Sequence, residues 1–264
     1  MKPVPDNLED MERVGDLRSS EISKMFSPHF SAFDNYRRML IALNIILGQH
    51  KPKDDCDKTI RNFMADTYDL LEELIPILRR GRHNVASLLV RRIYENVSLV
   101  NAFLLNTDIH NKWMKGDEIP NWEVRKELDK SALGAEIEST KYIYYALSDR
   151  AHPSRIAISD RFLGEDNKFT LGGYITPSLA LTAELLVRSL SLFFWFGALL
   201  GFFYKRVWSN SKPEFKDLYE QVSTNALNIN SKLFDELDRL YKEENFVEVE
   251  QVTRKSNRRE KERN

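Results

Sequence analysis

Two stretches of this chain carry polar side chains where a helix would be expected to present apolar ones. The first is "HNVASLLVRRIYENVSLVNAFLL", residues 83–105. With Val85 as reference and about 100° per residue, Val85, Leu88, Leu89, Leu99, Val100 and Phe103 gather on one face. Arg92 then falls at about 340° and Asn96 at about 20°, inside that face, with Glu95 on its margin at about 280° and Arg91 further out at about 240°. An arginine set in an apolar stripe is costly unless a carboxylate and further acceptors meet it. Glu95, three residues on, is the local candidate.

The second is "KYIYYALSDRAHPSR", residues 141–155. Tyr144, Ser148 and His152 follow one another at intervals of four, so their polar atoms line one side of a helix. Pro153 disfavours helical geometry at the residue before it, so the helix is expected to stop at His152. There the macrodipole favours a protonated imidazole. If the two stripes pack together, Arg92, Glu95, Asn96, Tyr144, Ser148 and His152 share one pocket. Such a network either fixes helix register or forms a site. In a site, His152, Arg92 and Glu95 are the candidates for chemistry, and Tyr144, Ser148, Asn96, Arg91 and Arg150 for binding.

Charge points the site towards an anion. No acidic residue occurs between Glu73 and Glu95, whereas Arg79, Arg80, Arg82, His83, Arg91 and Arg92 do. Arg150, Arg155 and Arg161 lie near the second stripe. The planar guanidinium suits phosphate, which makes RNA or a nucleotide the expected ligand. The competing reading pairs these arginines with acid-rich helices such as "DLLEEL". Overall, 39 Lys and Arg stand against 40 Asp and Glu, which excludes the global positive field of a bulk nucleic-acid coat protein.

Other chemistries find little support. The five histidines, at positions 29, 50, 83, 110 and 152, show no metal-ligand spacing, so neither a metal nor a cofactor is expected. There is no phosphate loop and no nucleophile elbow. The single cysteine, Cys56, excludes an intrachain disulfide and fits a reducing compartment. The N-terminal residues lack the apolar core of a secretory signal, and a cytoplasmic protein is expected. Trp113 and Trp122, in the loop "KWMKGDEIPNW", either stack bases or cover a core edge.

The elements that must position these residues are helices. The 264 residues contain only 10 Gly and 9 Pro, and apolar periodicity predicts an all-α multi-helix bundle. Residues 1–20 are expected to be flexible and residues 21–245 to form one helical domain. Its helices are predicted over 30–47, 57–80, 83–105, 122–128, 135–151, 177–208 and 213–244, with a kink at Pro76 and a small β-hairpin near 156–175 around "GEDN". Residues 246–264 read as a solvated basic tail. The charge-free run "SLSLFFWFGALLGFFY", residues 189–204, falls short of the ~20 apolar residues of a spanning helix, with Glu184 and Arg188 just upstream. A central helix buried on all sides is preferred to a membrane span.

The stripe residues also carry a resemblance. "RRGRHNVASLLVRRIYENVSLV", a tryptophan-containing loop and "KYIYYALSDRAHPS" resemble an uncharacterised prokaryotic family of helical domains with an Arg-x-x-Glu helix and a later Leu-Ser-x-x-x-His-Pro-Ser motif. The likeness covers about Tyr68 to Leu200, with Arg92, Glu95, Ser148, His152 and Pro153 at the matching positions. More remotely, the layout is similar to HEPN domains, many of which are RNases of toxin and antiphage systems. In those, an Arg precedes the His on one helix. Here the corresponding positions are Leu147, Ala146 and Tyr145, so Arg92 or Arg150 would have to substitute.

The resemblance implies a prokaryotic defence or stress setting. The function expected is a ligand-recognition or regulatory domain for RNA or a nucleotide. The alternatives are a divergent metal-independent RNase, with His152 as general acid and base and Arg92 stabilising the phosphorane, and a scaffold whose polar cluster only fixes packing. HEPN-like bundles usually pair, which makes a homodimer a possible partner state, and the apolar 190–204 helix could serve such an interface.

Overall fold

The computed structural model describes residues 8–130 and 178–243. These form nine helices and, among the described residues, no strand: α1 (Leu8–Met25), α2 (Ser27–Gly48), α3 (Asp55–Arg79), α4 (His83–Leu105), α5 (Thr107–Met114), α6 (Asn121–Leu128), α7 (Leu179–Phe203), α8 (Lys205–Ser211) and α9 (Phe215–Glu243). The all-α bundle expected from periodicity is present. The helix expected over 135–151, the hairpin near 156–175 and the basic tail from 246 lie outside the described residues.

Helix α7 is the axis of the bundle. It packs against α2, α3, α4 and α9, which follow one another around it: α9 meets α2, α2 meets α3 and α3 meets α4. A helix surrounded in this way must be apolar on every side, and α7 buries Leu185, Leu186, Leu190, Phe193, Phe196 and Leu200 in different directions. It is long and apolar enough to cross a membrane by length and composition, yet most of its apolar stretch is buried against its neighbours. Two glycines let those neighbours come close. A Cβ at Gly197 would sit 3.1 Å from the Tyr36 ring of α2, and one at Gly201 would sit 2.7 Å from the Tyr219 ring of α9.

Local sequence explains most of the helix ends. The side chain of Asp54 accepts the Asp57 N–H at 2.8 Å and caps α3. Ser178 caps α7 by accepting the Leu181 N–H at 3.0 Å. Helix α3 runs through Pro76 and stops at Gly81, whose φ of +64° lets the Arg82 N–H return to the Ile77 carbonyl at 3.2 Å.

Several expectations change. The segment 1–20, expected to be flexible, is helical from Leu8 onward. Its Leu, Glu, Arg and Met residues favour helix, and Gly15 and Ile22 supply a narrow buried stripe. Lys112, Trp113 and Met114 belong to α5 rather than to a loop. The helix predicted to continue to Trp208 breaks at Tyr204, whose side chain turns inward. The apolar run 190–204 is mostly taken up by the core of a single chain, with Phe202 as its one largely exposed large side chain.

Candidate functional site

Helix α4 buries Asn96, Val100 and Phe103 of the face its sequence suggested, but the centre of its buried arc lies elsewhere. Ala86, Val90, Ile93, Tyr94, Val97, Val100 and Asn101 are buried, an arc centred at about 120° on the scale that puts Val85 at zero. Val85 and Leu88, assigned to the buried face, are exposed. The reading anchored on Val85 was out of phase because two apolar arcs flank the polar one, and leucines are tolerated at the surface. Arg92 is therefore no core arginine: its side chain is 56% exposed.

The partners change accordingly. Glu95 was expected to meet Arg92, but it accepts from Arg91 Nε at 3.1 Å. Residues four apart differ by only about 40° around the helix, which places Arg91 over Glu95 and Arg92 over Asn96. Arg92 turns towards α3, where its Nη2 lies 3.7 Å from Asp66 Oδ2. Asn96, expected within the buried polar group, is fully buried. It donates through Nδ2 to Asp66 Oδ2 at 2.7 Å and to Thr67 Oγ1 at 3.3 Å.

The structure thus joins Arg92 and Asn96 through Asp66 and Thr67, two residues of α3 absent from the sequence reading. Asp66 sits on the rim and Asn96 beneath it, so the cluster has a wet edge and a dry floor. Tyr144, Ser148, Arg150 and His152, the second half of the expected pocket, lie outside the described residues.

Among the described residues, no ion pair joins the arginines around the α3–α4 corner to the acids of "DLLEEL". Glu72 is taken by Arg37 of α2, whose Nη2 reaches Oε2 at 2.7 Å and whose Nε also donates to it. Arg79 lays its guanidinium over the Phe30 ring at 4.8 Å, a cation–π contact that turns it inward. His83 is engaged with Thr182 of α7, Nε2 to Oγ1 at 2.8 Å. Arg80 remains at the surface.

A second polar centre, with little trace in the sequence, sits where α2 and α7 end and α3 begins. Asp57 is 1% exposed and accepts from Arg61 Nε at 3.0 Å, the Lys53 N–H at 2.9 Å and Tyr204 Oη at 2.7 Å. Arg61 Nη1 donates in turn to the carbonyls of Leu47 and His50, at 2.7 and 2.8 Å, and closes the end of α2. Burial pushes the Asp57 carboxyl up, but these hydrogen bonds outweigh it and hold it below the usual carboxylate range. Burial and the adjacent carboxylate push the Tyr204 phenol well above its ordinary value. Every oxygen is satisfied, which marks a structural knot. The Asp-x-x-x-Arg spacing at the start of α3 was its only trace in the sequence; nothing pointed to Tyr204.

A third group links α7 and α9: Glu184 accepts from Arg188 Nε at 2.8 Å and from the Tyr241 hydroxyl. The two charges that argued against a membrane span are thus partners of each other. Trp113 stands 5.6 Å from Phe63 and 5.7 Å from Phe103, ring to ring, and covers a core edge, while Trp122 is exposed. Among the described residues, no three His, Cys, Asp or Glu side chains are placed to hold a metal ion. Compared with models of known families, with curated proteins and with solved structures, the chain matches none of them.

Proposed function

We propose that this chain is a cytoplasmic recognition domain for an anionic ligand, RNA or a nucleotide, which binds through Arg92 and its neighbours on the outer face of α4. One observation carries the reading. Arg92 is an exposed guanidinium whose one charged partner among the described residues is a rim carboxylate 3.7 Å away, beyond hydrogen-bonding distance. Exposed pairs of this kind are worth at most about 1 kcal/mol, so a phosphate offering two parallel acceptors would displace Asp66 at little cost. No acidic residue lies between Glu73 and Glu95, so the first three turns of α4 bring no carboxylate of their own to such a ligand. Asn96, locked beneath, holds Asp66 in place and fixes where the guanidinium can swing. The defence or stress setting is part of the proposal and rests on the resemblance of the two stripes.

The test is equilibrium binding of a labelled single-stranded RNA and of a fluorescent ATP analogue, followed by anisotropy at low and moderate salt. The expected result is salt-sensitive binding of at least one probe, weakened about tenfold or more by Arg92→Ala. Melting should be nearly unchanged, because an exposed pair contributes little to stability. Absence of binding to both probes, or equal binding by the variant, overturns the proposal.

A further inference from the structure

Helix α9 is amphipathic, but its apolar residues are more numerous than its own bundle covers. Phe215, Val222, Ala226, Leu233 and Leu240 face the core. Leu227 and Phe234, seven residues apart, lie on a different line and are 48% and 64% exposed. That line runs beside α7, because Asn230, between them, donates to Ser191 Oγ at 2.8 Å. On the α7 side the edge continues through the half-buried Trp195 and Ala198 to Phe202, which is 80% exposed. The seam therefore presents a strip of large apolar groups along two joined helices.

Charge along α9 indicates what covers it. Within about 20° of Leu227 stand Lys216, Glu220, Phe234 and Asp238, with Lys242 at about 60° on the flank that also carries Glu220. When an identical α9 is laid antiparallel on this line, positions whose numbers add to about 461 meet. Leu227 then faces Phe234 of the partner subunit. Glu220 faces Lys242 of the partner subunit on the same flank, and each contact occurs twice. Asp238 meets Ser223 and Thr224 of the partner subunit, so no like charges on this line are opposed. A face that complements itself under a two-fold rotation is what an isologous dimer requires.

We propose that a second copy of this chain docks antiparallel along α9, with the two-fold axis crossing between Asn230 and Ser231. Leu227 and Phe234 form the apolar centre, and the two Glu220–Lys242 pairs set the register and close the ends. At about 1.5 Å per residue, the 29 residues of α9 offer about 43 Å of contact line, and Phe202 extends the covered surface at its margin.

Sedimentation of the full chain at about 100 μM, a concentration well above the Kd of a stable dimer, should give twice the 30.9 kDa of one copy. Phe234→Asp should raise the dissociation constant about tenfold or more while leaving the circular-dichroism melt unchanged, since Phe234 is largely exposed in the single chain. In a Cys56→Ser background, Ser231→Cys lies at the axis and should form an interchain disulfide on mild oxidation. Asn225→Cys, on the opposite flank of α9, should not. A monomer at that concentration, a dimer indifferent to Phe234→Asp, or equal cross-linking at 225 and 231 overturns the proposal.

Discussion

His29 gives the sharpest quantitative prediction. It sits in the first turn of α2, facing α9, 6% exposed, and among the described residues neither ring nitrogen makes a well-formed hydrogen bond. Burial lowers its pKa from 6.5 to about 4; the Ile229 backbone and Glu236 oppose this without reversing it. The folded chain therefore holds this imidazole neutral, whereas the unfolded chain protonates it below about 6.5. Its contribution to stability is complete above pH 6.5 and is lost as pH falls from there to about 4. The gap between the two values corresponds to about 3 kcal/mol, and about 2.5 kcal/mol of that is lost between pH 7 and pH 4.5. Carboxylates also titrate towards the bottom of this range, so the measurement is a difference. Urea unfolding of the natural chain and of His29→Leu should be compared at both pH values. The natural chain should lose about 2.5 kcal/mol more than the variant over that interval. Equal losses, or an NMR titration of the ring with a midpoint near 6.5, would refute the reasoning.

Three further substitutions test the close contacts of α7 and its C-cap. Tyr204→Phe removes a donor to a buried carboxylate and should cost about 1.5–3 kcal/mol in denaturant unfolding near neutral pH. Because Asp57 is held below its ordinary value of 3.8, that deficit should be full above 3.8 and shrink as the carboxyl protonates at lower pH. Gly201→Ala places a methyl group 2.7 Å from the Tyr219 ring and should destabilise by about 1–3 kcal/mol despite alanine's higher helix propensity. Gly197→Ala, with 3.1 Å to spare, should cost less; the reverse order would mean that Tyr219 swings aside easily.

The helices were legible because apolar spacing, glycine and proline mark them, and α4 was bounded as observed from Gly81 and the polar "NTD" that follows Leu105. The nature of α7 was legible too, since sixteen uncharged residues call for burial on every side. The facing of α4 was not. Its sequence offers apolar residues around Val85 and Phe103 and again around Val90, Ile93 and Val97, and only packing decides that Val85 and Leu88 stay outside while Phe103 goes in. Asn96, at about 20°, is buried, whereas Arg92, at about 340°, reaches the rim. Its partner Asp66 is 26 residues away in sequence, on a different helix. Asp57 and Tyr204 are further apart still, and a phenol inside an apolar run carries no sign of which carboxylate it will meet.

The central place of α7 has a consequence for synthesis. Helix α7 leaves the ribosome before α9 exists, so the nascent chain presents a greasy rod of 25 residues, long enough by length and composition to span a bilayer, without its largest cover. Until α9 follows, that rod is a substrate for chaperones or for mistaken insertion into lipid. Truncation ahead of residue 215 should therefore convert a well-behaved polypeptide into one that aggregates or fractionates with membranes.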